Sequence, residues 1–106
     1  MKLSRTNKIL SKMKEQGINQ ALISDPYSIF YLTGHLEHPG ERFYAVLLDE
    51  NGNHKLFINA LFPLDKDLGL EKVVYSDTDK PIEILSKSIP NGSVVGIDKV
   101  LPARFL

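Results

Sequence analysis

Residues 21–34 constrain the fold of this chain most, because they read in succession as a strand, a turn, a helix and a helix stop. Residues 21–23 are apolar without polar alternation, which is typical of a strand covered on both faces of a sheet. Asp25 can accept a backbone N–H of the following helix, and Pro26 suits the first helical position. Gly34 predicts the helix end, since glycine adopts the left-handed conformation without a Cβ clash.

Residues 3–16, before this stretch, predict an amphipathic helix. Its apolar side chains lie on one side of a helical wheel and are Leu3, Ile9, Leu10 and Met13. Gly17 predicts the end of this helix, with Ile18 packing back against the last turn as in a Schellman cap. The other side is basic, and we interpret it as a solvated face because the apolar side lacks the large aromatic residues of membrane-binding helices.

Two apolar runs in the middle of the chain predict a β-hairpin. Residues 43–48 and 55–58 are strand-like, and Asn51 and Gly52 lie between them. An Asn-Gly pair tolerates positive φ, so an antiparallel connection is expected. His54, at the start of the second run, is interpreted as a solvated residue at the strand edge.

The last third of the chain predicts a strand, a helix and a further strand. Residues 73–75 form an apolar run, and a helix is expected to begin near Pro81 with Thr78 or Asp79 as its cap. The residues expected to face the core from this helix are Ile82, Leu85 and Ile89. Residues 94–97 predict a buried strand, parallel to the strand at 73–75 through a right-handed crossover.

These elements predict one α/β domain with a mixed β-sheet. Continuous apolar strands need helices on both faces, whereas the hairpin contributes an antiparallel pair. We therefore expect three layers, with a mixed sheet of about five strands flanked by helices. The chain has 106 residues, enough for one core. Its last residues, Phe105 and Leu106, are apolar where a natural terminus is usually polar, so we expect it to be part of a longer protein.

Composition excludes several classes of site. The chain has 13 Lys plus Arg and 13 Asp plus Glu, so it has no basic excess to neutralise nucleic-acid phosphates. It contains no cysteine, which excludes disulfides and thiolate metal sites. The sequence has neither a signal peptide nor an apolar run long enough to span a bilayer. We therefore expect a cytoplasmic protein with no nucleic-acid and no membrane partner.

Residues 34–42 predict a surface loop that contains the only clustered histidines. His35 and His38, together with Glu37 and Glu41, offer imidazole and carboxylate groups of the kind that bind zinc. A loop rich in glycine and proline does not hold such side chains on one face as a helix does, so we do not predict a metal site here. The sequence also lacks a Gly-x-Ser-x-Gly nucleophile motif and a glycine loop for phosphate.

Two short motifs carry a family resemblance. Ile-Ser-Asp-Pro at 23–26 and Ile-Phe-Tyr-Leu-Thr-Gly at 29–34 resemble the signature of the creatinase/prolidase N-terminal domain. This domain is the non-catalytic front half of Xaa-Pro aminopeptidases and Xaa-Pro dipeptidases. The resemblance covers nearly all of residues 1–106 and implies the family's ribonuclease H-like fold, with only the last part of the domain absent.

The resemblance also implies where catalysis takes place. In proteins similar to this one, a following C-terminal domain with a pita-bread fold binds two divalent metal ions (Mn, Co or Zn) through Asp, His and Glu side chains. This chain would then contain no catalytic residue and no cofactor. In the family, the N-terminal domain contributes to a homodimer and lies over the active-site mouth, which restricts substrates to short proline-containing peptides. The same domain occurs in histone-chaperone subunits without peptidase activity, so a protein-binding module is the alternative interpretation.

The resemblance extends to the loop at 34–42. Dipeptidase-like members have Asp-Pro-His-Glu-Arg there, and this chain has His38-Pro39-Gly40-Glu41-Arg42. The site residues implied for a substrate-access loop are His38, Glu41 and Arg42. Arg42 can bind a peptide carboxylate through two parallel hydrogen bonds, and Glu41 can accept a peptide amino group. The alternative is that Glu41 and Arg42 pair only with each other or with the hairpin.

Overall fold

Three helices and five strands form within residues 1–98, the part of the chain that the computed structural model describes. In chain order they are α1 Leu3–Gln16, β1 Gln20–Ile23, α2 Pro26–Thr33, β2 Ala45–Asp49, β3 Lys55–Asn59, β4 Glu71–Tyr75, α3 Pro81–Lys87 and β5 Val95–Ile97. The expectation drawn from Phe105 and Leu106 lies outside the described residues.

The strands form one mixed sheet in the order β4-β3-β2-β1-β5. The central pairs β1–β2 and β2–β3 are antiparallel, with Leu22 opposite Leu47 and Ala45 opposite Phe57. The outer pairs β1–β5 and β3–β4 are parallel. The predicted mixed sheet of five strands is therefore confirmed, and so is the antiparallel hairpin.

Successive residues of the strands point to opposite faces of the sheet, and each face is covered by helices. On one face, Met13 of α1 and Ile29 and Leu32 of α2 pack against apolar side chains of β2 and β3. On the other face, Leu85 of α3 packs against the second set of strand residues, which includes Phe57. This arrangement confirms the predicted three-layer α/β fold.

The helix α1 has the predicted bounds, and its end follows from the residues around Gly17. Gly17 has φ 69° and donates its N–H to the Lys14 carbonyl, while Ile18 donates to the Met13 carbonyl at 2.8 Å. These two bonds are those of a Schellman cap. Leu3, the first residue of α1, is 71% exposed, whereas Met13 near the other end of the helix is buried.

The structure corrects the predicted cap and face of α3. Lys80 occupies the N-cap position, whereas Asp79 accepts hydrogen bonds from the backbone N–H and the hydroxyl of Ser76. Asp79 therefore closes the preceding turn instead of capping the helix. Ile82 is exposed, and Ile84 packs against the core with Leu85.

The strand β5 also differs from its prediction. It runs in the same direction as β4, but the two strands lie at opposite edges of the sheet, and β5 pairs with β1. Its side chains are half-buried or exposed because an edge strand has a neighbour on one side only, and Ile97 is among the exposed ones. The connection through α3 thus crosses the whole sheet.

His54 is not the solvated edge residue that the sequence indicated. It is half-buried, and its Nδ1 accepts the backbone N–H of Asp49 across the hairpin at 3.0 Å. Burial lowers the pKa of His54, while the nearby Asp49 carboxylate opposes this effect. The neutral imidazole is therefore part of the hairpin connection.

Candidate functional site

The loop at 34–42 begins where the sequence predicted, at the end of α2. The Asp25 carboxylate caps this helix by accepting the Tyr27 N–H at 3.4 Å and the Ser28 hydroxyl at 2.8 Å. At the other end Gly34 has φ 81° and donates its N–H to the Phe30 carbonyl at 2.8 Å. The start of the loop is thus set by hydrogen bonds between residues that are at most four positions apart in the chain.

A carboxylate from the far end of the described chain holds the turn before α2. Asp98, directly after β5, accepts the backbone N–H groups of Ser24 at 2.8 Å and Asp25 at 2.9 Å. It also accepts the Ser24 hydroxyl at 2.7 Å. Sequence reasoning missed this contact, because no local pattern relates residues more than 70 positions apart.

The first half of the loop packs down onto the domain. The His35 N–H is donated to the Thr33 hydroxyl at 3.1 Å, and that hydroxyl donates to the Ile29 carbonyl at 2.7 Å. The His35 Nε2 and Glu37 Oε1 atoms lie 3.2 Å apart, and both side chains are only 20% exposed. The predicted site residue His38 is exposed, so it does not join this pair in the packed region.

A metal ion does not fit the residues that the structure brings together here. Within residues 1–98, no group of three or more His, Cys, Asp or Glu side chains is arranged to hold one. In the loop itself His35 contacts Glu37.

Arg42, at the end of the loop, forms a bidentate ion pair with Asp77. Its Nε and Nη2 atoms donate to the two carboxylate oxygens of Asp77 at 3.1 and 3.0 Å. The side-chain amide of Asn59 donates to the same carboxylate at 2.7 Å. The hydrogen bond from Arg42 and then the one from Asn59 lower the pKa of Asp77, and the Asp77 bond raises that of Arg42.

The backbone that follows Arg42 is anchored by a hydrogen bond from Tyr75. Phe43 is buried, and its carbonyl accepts the hydroxyl of Tyr75 at 2.5 Å. The Phe43 ring lies on Phe57, with ring centroids 6.1 Å apart. Burial raises the pKa of Tyr75, which keeps its hydroxyl protonated as the donor. The second end of the loop is thus anchored through both its side chain and its backbone.

Tyr44, the next residue, is buried on the other face of the sheet with Ile29 and Leu32 of α2, and its hydroxyl has no hydrogen-bond partner among residues 1–98. Burial, with a smaller contribution from the Glu37 carboxylate, raises the pKa of Tyr44 to about 12. The neutral hydroxyl is therefore favoured at every physiological pH.

A separate groove of about 580 Å³ lies at the opposite end of β2, between the last turns of α1 and the hairpin turn. Its lining is mostly polar and includes Asn7, Lys14 and Glu50. The loop residues His38, Glu41 and Arg42 do not line it. No helix of the described chain is both long and apolar enough to cross a membrane.

The sequence and the fold both match known proteins. The family model of the creatinase/prolidase N-terminal domain matches residues 5–106. An uncharacterised peptidase of Staphylococcus haemolyticus is 32% identical over 85 residues, which are 77% of this chain and 24% of that protein. The chain therefore spans about a quarter of the length of the curated relatives that it matches.

Solved structures share the fold at lower identity. The creatinase/prolidase N-terminal domain of an X-Pro dipeptidase from Streptococcus pyogenes aligns with a TM-score of 0.85 and 23% identity, covering 96% of this chain and 82% of that one. A dipeptidase from Pyrococcus horikoshii aligns with a TM-score of 0.78 and 23% identity, covering 95% of this chain and 30% of that one. Because the family model matches nearly the whole sequence, this chain belongs to the creatinase/prolidase N-terminal domain family.

Proposed function

We propose that this chain is the non-catalytic N-terminal domain of a metal-dependent Xaa-Pro dipeptidase or aminopeptidase of the cytoplasm. The observation that carries the proposal is the family match over residues 5–106. The fold likeness supports it, since the matching S. pyogenes structure is itself the N-terminal domain of an X-Pro dipeptidase. In the P. horikoshii dipeptidase the matching part is 30% of the chain, which leaves room for a separate catalytic domain.

In this proposal, a C-terminal domain of the same protein binds two divalent metal ions, Mn, Co or Zn, and carries out peptide hydrolysis. The N-terminal domain contributes to a homodimer and covers part of the active-site mouth. Short proline-containing peptides are the substrates, because a covered mouth excludes longer chains.

The loop at 34–42 is the part of the domain that we assign to substrate access. His38, Glu41 and Arg42 are exposed, and the two ends of the loop are anchored to the domain. An anchored loop with exposed charges can present them in a defined position to a ligand. Arg42 would bind a peptide carboxylate, and Glu41 a peptide amino group, at the partner's active-site mouth.

The test is to express the full-length protein and to measure hydrolysis of Xaa-Pro dipeptides and longer Xaa-Pro peptides with Mn²⁺, Co²⁺ or Zn²⁺. We expect metal-dependent turnover, a dimer by light scattering, and a lower kcat/KM in Arg42→Ala and Glu41→Gln. The matched control is Asp65→Asn, which removes an exposed charge from a different segment. Wild-type kinetics in both loop variants would contradict the access role.

The chain alone provides a second test. We expect the 106-residue chain to hydrolyse no Xaa-Pro peptide with any of the three metals. Turnover that co-purifies with the chain and disappears in His35→Ala or His38→Ala would overturn its assignment as non-catalytic. Absence of Asp, His and Glu metal ligands from the rest of the full-length sequence would instead favour a protein-binding module.

A further inference from the structure

Asp77 connects the exposed end of the loop to a buried side chain. It pairs with Arg42 on one side, and on the other it accepts the side-chain amide of Asn59, which is only 1% exposed. The Asn59 Oδ1 atom in turn accepts the backbone N–H of Leu61 at 2.9 Å. Since both ends of this amide are engaged, its orientation is fixed, and Asp77 receives a hydrogen bond from a rigid donor.

The register of the sheet places Asp77 at this position. Asn59 and Tyr75 are opposite each other in the parallel pair β3–β4. Tyr75 anchors the Phe43 carbonyl, and two residues later Asp77 reaches the side chain of Arg42. One short segment therefore fixes both the backbone and the guanidinium at the end of the loop.

The ion pair constrains the orientation of the Arg42 guanidinium more than it stabilises the fold. The side chains of Arg42 and Asp77 are 42% and 56% exposed, and exposed ion pairs contribute little to folding stability. Two parallel hydrogen bonds, however, fix the plane of a guanidinium. Asp77 uses Nε and Nη2, so Nη1 is the guanidinium nitrogen that lies outside this pair.

We propose that Asp77, held in place by the hydrogen bond from Asn59, is a positioning residue that orients Arg42 toward an anionic ligand. The ligand class is the C-terminal carboxylate of a short peptide, and this part rests on the proposed function of the loop. Asp77 acts only through Arg42 and does not itself contact the ligand. Removal of its charge leaves the Arg42 side chain in place but free to rotate.

The positioning itself can be tested in this chain without any peptidase activity. In ¹⁵N NMR spectra at neutral pH, the Arg42 Nε–H resonance is expected to be sharp and slow to exchange with water, because Asp77 accepts that hydrogen. In Asp77→Asn we expect this protection to be lost, and in the control Asp65→Asn to be retained. Unchanged protection in Asp77→Asn would overturn the proposal.

The consequence for ligand binding is tested in the full-length protein with Xaa-Pro dipeptides. For Asp77→Asn we expect KM to rise roughly five- to tenfold with little change in kcat, because binding alone is weakened. The double variant Arg42→Ala/Asp77→Asn should match Arg42→Ala, since a positioning residue has no effect once its target is removed. A fully additive double variant would show that Asp77 acts elsewhere and would refute the positioning role.

The two proposals fail in distinguishable ways. If the wild-type full-length protein hydrolyses no Xaa-Pro peptide, the proposed function is wrong, and the NMR comparison still decides whether Asp77 orients Arg42. If hydrolysis is found and Arg42→Ala raises KM while Asp77→Asn does not, the loop has its proposed role and the positioning by Asp77 is wrong.

Discussion

The two ends of the loop at 34–42 are fixed in different ways. At the first end, Gly34 donates to a carbonyl four residues earlier, and the helix before it is capped by its own preceding residue. At the second end, Arg42 and Phe43 are held by residues 35 and 32 positions away in the chain. The first end therefore depends on contacts local to α2, whereas the second depends on residues that the pairing of β3 and β4 brings into place.

Truncation of Ile29 is expected to have the largest effect on the first end. This α2 side chain is fully buried in the core between the helices and the sheet. Ile29→Ala removes this packing and leaves a cavity, which should lower the free energy of unfolding by about 2–5 kcal/mol. Urea denaturation measures the change, and Phe30→Ala, on the same helix at a half-exposed position, is the control. Equal losses in the two variants would show that core packing does not hold this end.

Alkaline pH is expected to have the next largest effect, through Tyr44, which follows the second end in the chain and packs its side chain against α2. Its pKa is raised from 10.0 to about 12, so the unfolded chain ionises first as the pH rises. The neutral buried phenol therefore stabilises the fold fully below pH 10.0, and this contribution is lost between pH 10.0 and about 12. A shift of this size corresponds to about 3 kcal/mol.

The measurement is the unfolding free energy of the wild type minus that of Tyr44→Phe across this pH range. At neutral pH the two should be nearly equal, because the hydroxyl has no partner among the described residues. Above pH 10.0 the wild type should become the less stable of the two. A difference that does not change with pH would contradict the assignment.

Tyr75→Phe should weaken the second end by about 2 kcal/mol, because it leaves the buried Phe43 carbonyl without this donor. Hydrogen exchange at the backbone around Phe43 should rise more than exchange at Gly34, since the two ends are anchored separately. Circular dichroism and native-state hydrogen exchange measure these quantities. Equal increases at both ends would show that the loop ends open as one unit.

The same contrast explains what the sequence could predict. Asp25, Pro26 and Gly34 carry their structural roles in their own chemistry and spacing, so the helix was predicted with the bounds that the structure has. The strand before it was predicted from residue 21 and begins at Gln20. The hairpin around Gly52 was predicted for the same reason, and Gly52 has φ 90°. Neighbouring residues are sufficient for such elements.

Contacts that depend on strand order or register could not be predicted in this way. Asp98 and Asp77 look like ordinary surface acids in the sequence, and their partners become neighbours only through the pairs β1–β5 and β3–β4. Thr78 and Asp79 were wrongly offered as caps of α3, because the side chains of both bond to Ser76 instead. The loop residues His38 and Glu41 were identified through a family resemblance, and their role in substrate access stays a prediction.

Removal of the Asp25 cap should have a smaller effect on the first end. Asp25→Ala deletes the acceptor for the Tyr27 N–H and the Ser28 hydroxyl, and is expected to cost about 1 kcal/mol of unfolding free energy. Asp25→Ser should recover most of this loss, because serine also caps helices well. Thermal and urea denaturation would reveal the difference, and an Asp25→Ser variant no better than alanine would argue against capping as the cause.

Acid pH should have the smallest effect, and it acts on the second end through Asp77. The hydrogen bonds from Arg42 and Asn59 hold the pKa of this carboxyl below its ordinary value of 3.8. The unfolded chain therefore takes up the proton first as the pH falls. The contribution of the ion pair to stability is complete well above pH 3.8 and is lost as the pH falls through the lower pKa of the folded state.

Because both side chains are exposed, we expect only a slight change in stability but a clear loss of order at Arg42. The Arg42 Nε–H signal should weaken below pH 3.8 in the wild type while the backbone signals of α2 persist. Simultaneous loss of both sets of signals would show global unfolding, and the two ends of the loop would then not be independent in acid.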